Sequence, residues 1–178
     1  MIEQARMGDA YAAGLIARPN FAEEVRAPRF TYEVECIGAD GRLKWRETFS
    51  NLVTTAGKTD IIDKYFKGSA YTAAWYLGLK GTGSAAAGDT LASHAGWSEV
   101  TPYSGNRPAI TFGTTSSGSN TATAVSYTIN DSATVAGAFV ASVNTGTSGT
   151  LYSVGDFTSS RSVVSGDTLN VTLTVSAS

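Results

Sequence analysis

Two alternating runs are the clearest signal in the chain. At 30–37, Phe30, Tyr32, Val34 and Cys36 fall on one face of an extended segment and Thr31, Glu33 and Glu35 on the other. At 42–49, Leu43, Trp45 and Glu47 alternate with Lys44, Arg46 and Thr48. Between them stands Gly38-Ala39-Asp40-Gly41, and Asp-Gly supplies the positive φ angles that a tight connection needs. Residues 30–49 are therefore predicted to form a β-hairpin in which Glu33 and Glu35 lie across from Lys44 and Arg46. The pattern then changes period. Thr54 or Thr55 caps a predicted helix over 56–66, where Ile61, Ile62, Tyr65 and Phe66 make one apolar stripe expected to cover an open end or face of the sheet. Lys64 and Lys67 suit the helix dipole, and Gly68 stops the helix.

Beyond the helix the alternation returns in short pieces. Strands are expected at 74–79, 108–112, 122–129, 135–143, 150–157 and 168–175, with a small-residue loop at 79–88 and an irregular segment at 89–99. In the last strand Leu169, Val171, Leu173 and Val175 face inward and Thr168, Asn170, Thr172 and Thr174 outward. Short strands punctuated by Gly, Ser and Asn, without helices between them, predict a mainly β fold, a jelly-roll-like β-sandwich with one short helix. Residues 1–29 carry Pro19, Pro28 and scattered charges without a period, which predicts an extended N-terminal arm that orders against a neighbour, with a possible short helix over 5–16. The expected organisation is thus an arm at 1–29 and a sandwich domain at 30–178.

Charge sharpens this division. From Gly68 onward the charged side chains are Lys80, Asp89, Glu99, Arg107, Asp131, Asp156, Arg161 and Asp167, so this half relies on shape rather than on ion pairs for solubility or partner choice. The formal net charge of -2 disfavours nucleic acid. Cys36 is the only cysteine, which excludes an internal disulfide and a multi-cysteine metal site, and its alternating neighbours make it a small buried hydrophobe. Glu3 and Asp9 argue against an export leader, and no apolar run approaches the roughly 18 residues of a membrane span. Synthesis in a reducing cytoplasm and a soluble product are expected.

Candidate chemistry is sparse. Gly57-Lys58-Thr59 resembles the tail of a phosphate loop, but Leu52 stands where that motif needs a glycine. His94, the sole histidine, has Ser93, Ser98 and Ser104 nearby in sequence but no orienting third group, and is read as a structural residue beside Trp97. Asp131, Asp156 and Asp167 stand at strand ends, yet none belongs to a dense acidic loop of the calcium-binding kind. Trp45, Trp75 and Trp97, with Tyr71, Tyr76 and Tyr103, could stack sugars, but aromatics of this size usually fill cores or protein interfaces. Gly88-Asp89-Thr90-Leu91 recurs as Gly166-Asp167-Thr168-Leu169, read as turn chemistry in which Asp bonds backbone amides ahead of it. No catalytic, cofactor-binding or metal-ligating set emerges, and a non-enzymatic protein without a cofactor is expected.

The segments NLVTTAGKTDIIDKYFKGSAYTAAWYLGL, GDTLASHAGWSEVTPYSGNRPAITFG, VAGAFV and SGDTLNVTLTV together resemble a group of small virion proteins of tailed bacteriophages, in order along residues 42–178. The resemblance implies a protein that decorates and stabilises, or cements, the capsid surface by binding the major capsid protein as a homo-oligomer, a trimer or a dimer. It carries no catalytic residues over. A tail-fibre, neck or adaptor component is the alternative within the virion, and a carbohydrate-binding module for host recognition is the alternative of a different class.

Overall fold

The computed structural model describes residues 28–71 and 74–177. The expected helix at 5–16 and the expected arm, apart from Pro28 and Arg29, lie outside them. The first strands are β1 (Arg29–Ile37) and β2 (Leu43–Val53), antiparallel across the predicted turn. Gly41 has φ 77°, the conformation for which glycine is needed, and Gly38 N–H bonds the Arg42 carbonyl at 2.8 Å. A register shift between Cys36 and Ile37 alters the expected charge pairing. Arg46 faces Glu35 and also lies 3.6 Å from Glu33, whereas Lys44 turns away to Asp167.

After β2 come α1 (Thr55–Ile61) and a π-helical turn (Ile62–Phe66), then β3 (Tyr76–Gly83), β4 (Trp97–Val100), β5 (Ser119–Thr121) and β6 (Val125–Thr128). The chain closes with β7 (Ala133–Ala141), β8 (Leu151–Val163) and β9 (Thr168–Ser176). The fold is mainly β: the strands form a sheet in the order β4-β3-β7-β8-β2-β1-β9-β5, with β6 also on β9 and every pairing antiparallel. β2 joins its two halves, since Thr48 to Ser50 pair with β1 while Asn51 to Val53 pair with β8.

The sheet folds over on itself, which is how alternating strands bury their apolar face without a covering helix layer. Tyr32, Val34 and Cys36 of β1 and Leu169, Val171 and Leu173 of β9 meet Leu77, Leu79, Val135 and Val140 in one core. Two hydroxyls cross it. Tyr127 Oη donates to the Leu77 carbonyl at 2.8 Å, and Tyr32 Oη lies 3.1 Å from Ser153 Oγ. β7 is buried on both faces, because Leu91 and Trp97 pack with its Phe139 and Ala141 on the outer side.

Three expectations are corrected here. No strand forms at 108–112, where only isolated bridges join Ala109 to Tyr76 and Phe112 to Ala122. The irregular 89–99 contains the start of β4, which pairs with the continuation of β3 through Lys80-Gly81-Thr82-Gly83, expected to be loop. β8 runs on to Val163, because Ser162 and Arg161 find partners in Thr134 and Val135. Ladder pairing outweighs the weak strand preference of these polar and glycine residues.

Scarce charges pin this sheet from within. Lys80 of β3, Gly137 of β7 and Asp156 of β8 are successive cross-strand partners. With no side chain at Gly137, the fully buried Lys80 reaches over it to Asp156 at 2.8 Å. Arg107 likewise makes a two-pronged bond to Glu99, at 2.8 and 2.6 Å, and Arg161 meets the buried Glu47 at 2.9 Å. The few charges beyond Gly68 thus brace the interior of the sheet, a use that the sequence expectation, which concerned solubility and partner choice, did not address.

Candidate functional site

The helix is locked to β8 by its first residues. Thr54 is buried; its N–H bonds the Tyr152 carbonyl at 3.1 Å and its hydroxyl accepts from Gly57 N–H at 3.0 Å, the N-cap bond expected of threonine. Gly57 is where the helix touches the strand, since a β-carbon there would stand 2.2 Å from the Tyr152 carbonyl oxygen. This close approach, not phosphate binding, accounts for the glycine of Gly57-Lys58-Thr59.

The apolar stripe does not cover the sheet as predicted. Ile61 packs against the core, but Ile62, Tyr65 and Phe66 are 58%, 84% and 79% exposed. The bond from Lys67 N–H to the Ile62 carbonyl, at 3.1 Å, closes a five-residue π turn. Such a turn holds more than 3.6 residues, so a stripe written at α-helical spacing drifts off the packed face. Ile62→Ala is accordingly expected to change unfolding free energy by no more than about 0.5 kcal/mol in a denaturant titration.

Between this turn and the rim of the sheet lies an apolar cleft of about 240 Å³, walled by Phe30, Ile61, Tyr65, Tyr71, Trp75 and Tyr152. Trp75 meets Tyr152 edge-on at 5.0 Å, and Phe30 meets it at 5.4 Å. Asp60 and Lys64 supply the charged lining. Burial raises the Asp60 carboxyl pKa, with Lys64 opposing, and burial together with the Asp60 charge pushes Tyr152 up to about 12. Tyr71, at the cleft edge, is 81% exposed. The arrangement can hold apolar side chains. The sequence reading puts Ile61 and Tyr65 in the helix stripe and Tyr71 and Trp75 in a core or protein interface, and it does not single out Tyr152; the aromatics at Tyr65, Phe66 and Tyr71 after a short helix are the available signal.

The other residues singled out from sequence are dispersed. His94 stacks on Trp97 at 4.0 Å with Nδ1 2.9 Å from the Trp97 carbonyl, while Ser93 bonds Thr90 and Ser104 bonds Asn130. Ser98 lies on β4. Asp131 bonds the neighbouring Ser132 amide, Asp156 pairs with Lys80, and Asp167 pairs with Lys44. Among the described residues no group of three or more His, Cys, Asp or Glu side chains is placed to hold a metal ion. The aromatics also divide: Trp45 packs on Phe157, Trp97 on Phe139 and Tyr103 on Tyr127, so they form no common platform with Trp75. Tyr76 is half-buried at the start of β3.

The two Gly-Asp-Thr-Leu segments do share one geometry. Asp89 accepts from Ala86 N–H at 2.9 Å and Asp167 from Val164 N–H at 3.0 Å, and each aspartate N–H bonds the carbonyl of that same residue. The amide lies three residues behind the carboxylate rather than ahead of it. Each carboxylate is then tied to a distant element, Asp89 to the Trp97 indole at 2.8 Å and Asp167 to Lys44 at 2.6 Å. Cys36 is buried beside Asp167 at 3.7 Å, and burial followed by the Asp167 charge raises its thiol to about 11.

A family model described as "Podophage GP4 fiber I protein gp80" matches residues 52–175, from the last residues of β2 to the end of the core alternation in β9. No curated protein matches the chain. No helix among the described residues is long and apolar enough to cross a membrane.

Proposed function

Because the chain belongs to the Podophage GP4 fiber I protein gp80 family, and so is a phage virion structural protein, we propose that it is a fibre component of the virion's tail apparatus. The observation that carries this is the family match, which spans the helix, the walls of the cleft other than Phe30, and most of the folded sheet. The role is binding by surface area rather than catalysis. Supporting that, His94 is engaged with Trp97, and Glu47, Asp156 and Asp167 are engaged in ion pairs that brace strands. The partner on this reading is a neighbouring virion protein, with several copies of the chain per particle, since weak contacts repeated on one symmetric body add through effective concentration. Capsid decoration, the first expectation from sequence, gives way to the fibre reading because the matched family is described by a fibre and not by a head protein.

The two positions in the virion separate cleanly. Particles lacking the protein are expected to keep heads as resistant to heat and osmotic shock as the parent, and to lose adsorption to host cells by tenfold or more. Electron cryomicroscopy of parent and deleted particles should show the missing density at the tail. Missing density over the capsid, with fragile heads and normal adsorption, would restore the decoration reading.

A further inference from the structure

We propose that the π turn and the apolar cleft together form a two-fold self-association surface, in which Phe66 of each copy enters the cleft of the other. Tyr65 is a wall of the cleft and Phe66 is not, yet the two rings meet edge-on at 5.5 Å, so Phe66 stands immediately outside the cleft of its own chain. Phe66 is 79% exposed, and Tyr65 and Tyr71, both cleft walls, are 84% and 81% exposed. A projecting ring and a hollow thus share one face. A contact between two copies related by a two-fold axis uses the same patch on both, so each copy must offer the two parts side by side. In a ring or a filament the complementary parts lie on different faces.

Size and charge agree with that pairing. A cavity of about 150 Å³ already admits a benzene ring, and the cleft measures about 240 Å³. At about 150 to 250 Å² per aromatic side chain, the three exposed rings present roughly 350 to 600 Å². Ile62, exposed on the same turn, and the cleft walls bring the face towards the roughly 800 Å² per partner of a stable association. A monomer rarely leaves so large an apolar face open. The charged groups between Asp60 and Lys67 are matched in sign, Asp60 with Lys64 at 3.9 Å and Asp63 with Lys67 at 3.4 Å, so the turn has no net charge to repel a second copy. A partner steered by charge finds no excess there, which leaves shape as the selector.

The inference goes beyond the fibre reading and does not depend on it, because its test uses the isolated full-length chain and the fibre reading rests on the family match. Sedimentation velocity at rising protein concentration is expected to show a monomer-dimer equilibrium. Phe66→Ser is expected to raise its dissociation constant about tenfold or more, the effect of truncating a central aromatic anchor. The circular dichroism spectrum should stay that of the unsubstituted chain, since the ring is exposed in the single copy. A chain that stays monomeric, an association of another stoichiometry, or a dimer equally tight in Phe66→Ser overturns the proposal. In a second measurement, photoreactive p-benzoylphenylalanine in place of Phe66 is irradiated in a mixture of isotopically light and heavy chains. The expected products join position 66 of one isotopic chain to Tyr71, Trp75 or Tyr152 of the other. Products confined to one chain, including any with residues 1–27, overturn the assignment, as do products with another segment of the second copy or no product at all.

Discussion

Replacing Gly137 by alanine is expected to destabilise the fold by about 3 to 5 kcal/mol. A β-carbon at this position would stand 2.0 Å from the carbonyl oxygen of Gly155, a backbone atom of the paired strand that cannot swing aside. Overpacking of this kind costs about 1 to 3 kcal/mol in a core that can adjust, and here the adjustment is itself costly. Gly137 lies between Lys80 and Asp156 in the cross-strand row, so moving β7 from β8 also separates the buried ammonium from its carboxylate. Asp156 is 43% exposed and the ammonium keeps the Gly81 and Gly83 carbonyls, so this separation adds about 1.5 to 3 kcal/mol, the worth of a hydrogen bond to a charged group. A melting temperature lower by roughly 10 °C follows, at about 2 to 4 °C per kcal/mol for a domain of this size. Gly88→Ala is the control: a β-carbon there meets nothing within 4 Å, and it should shift stability by no more than about 0.5 to 1 kcal/mol. Equal effects from the two substitutions would show that the close approach is not what requires Gly137.

Asp167→Ala is expected to cost about 3 kcal/mol, by another route. Asp167 is 2% exposed, and its Oδ2 accepts from Lys44 Nζ at 2.6 Å, from Val164 N–H at 3.0 Å and from the Cys36 thiol at 3.7 Å. Alanine leaves the turn amide and the buried thiol without their acceptor, and removing a charged partner from such groups costs about 1 to 3 kcal/mol or more. The same residue sets an acid limit. Burial works to raise its pKa, but the Lys44 and Val164 hydrogen bonds outweigh burial and hold it below the usual carboxylate value. The folded protein therefore releases this proton more readily than the unfolded chain, whose aspartate titrates near about 3.9. The resulting stability is complete above that value and is lost as pH falls through the lower folded one. Glu47 acts in the same direction through its hydrogen bond from Arg161, against burial and with help from the Thr158 amide. Unfolding free energies between pH 7 and pH 2 should thus fall less steeply on the acid side in Asp167→Asn than in the unsubstituted chain. Superimposable profiles would show that Asp167 contributes nothing through its ionisation.

The position of the apolar stripe marks the boundary of what local pattern can say. Ile61, Ile62, Tyr65 and Phe66 satisfy helical spacing, and only Ile61 reaches the core. Spacing along a helix shows which side chains share a face, but not whether anything lies opposite that face, and the π turn changes even the shared face. Alternation puts Glu47 on one face of β2 with Trp45, yet nothing local indicates that it is buried there or that Arg161, 114 residues away, is its partner. The cleft was illegible for the same reason. Its walls come from β1, the helix, the segment before β3 and β8, which meet only after the sheet has folded.

Local chemistry by itself determined the hairpin, the threonine cap, the place though not the bonding direction of the two aspartate turns, and the inward faces of β1 and β9, because each depends on residues within about ten positions of one another. The mainly β character and a kinship with phage virion proteins were legible as well, though not the fibre family itself, since both reside in the order of residues along the chain. Only the tertiary structure decided that β2 joins two halves of one sheet, that Gly137 lets Lys80 reach Asp156, and that aromatic side chains from distant segments wall a cleft beside the helix. Those features follow from strand order and from the direction in which the sheet folds. Both are set by long-range packing free energy, and a two-residue or four-residue period contains no information about a partner a hundred residues away.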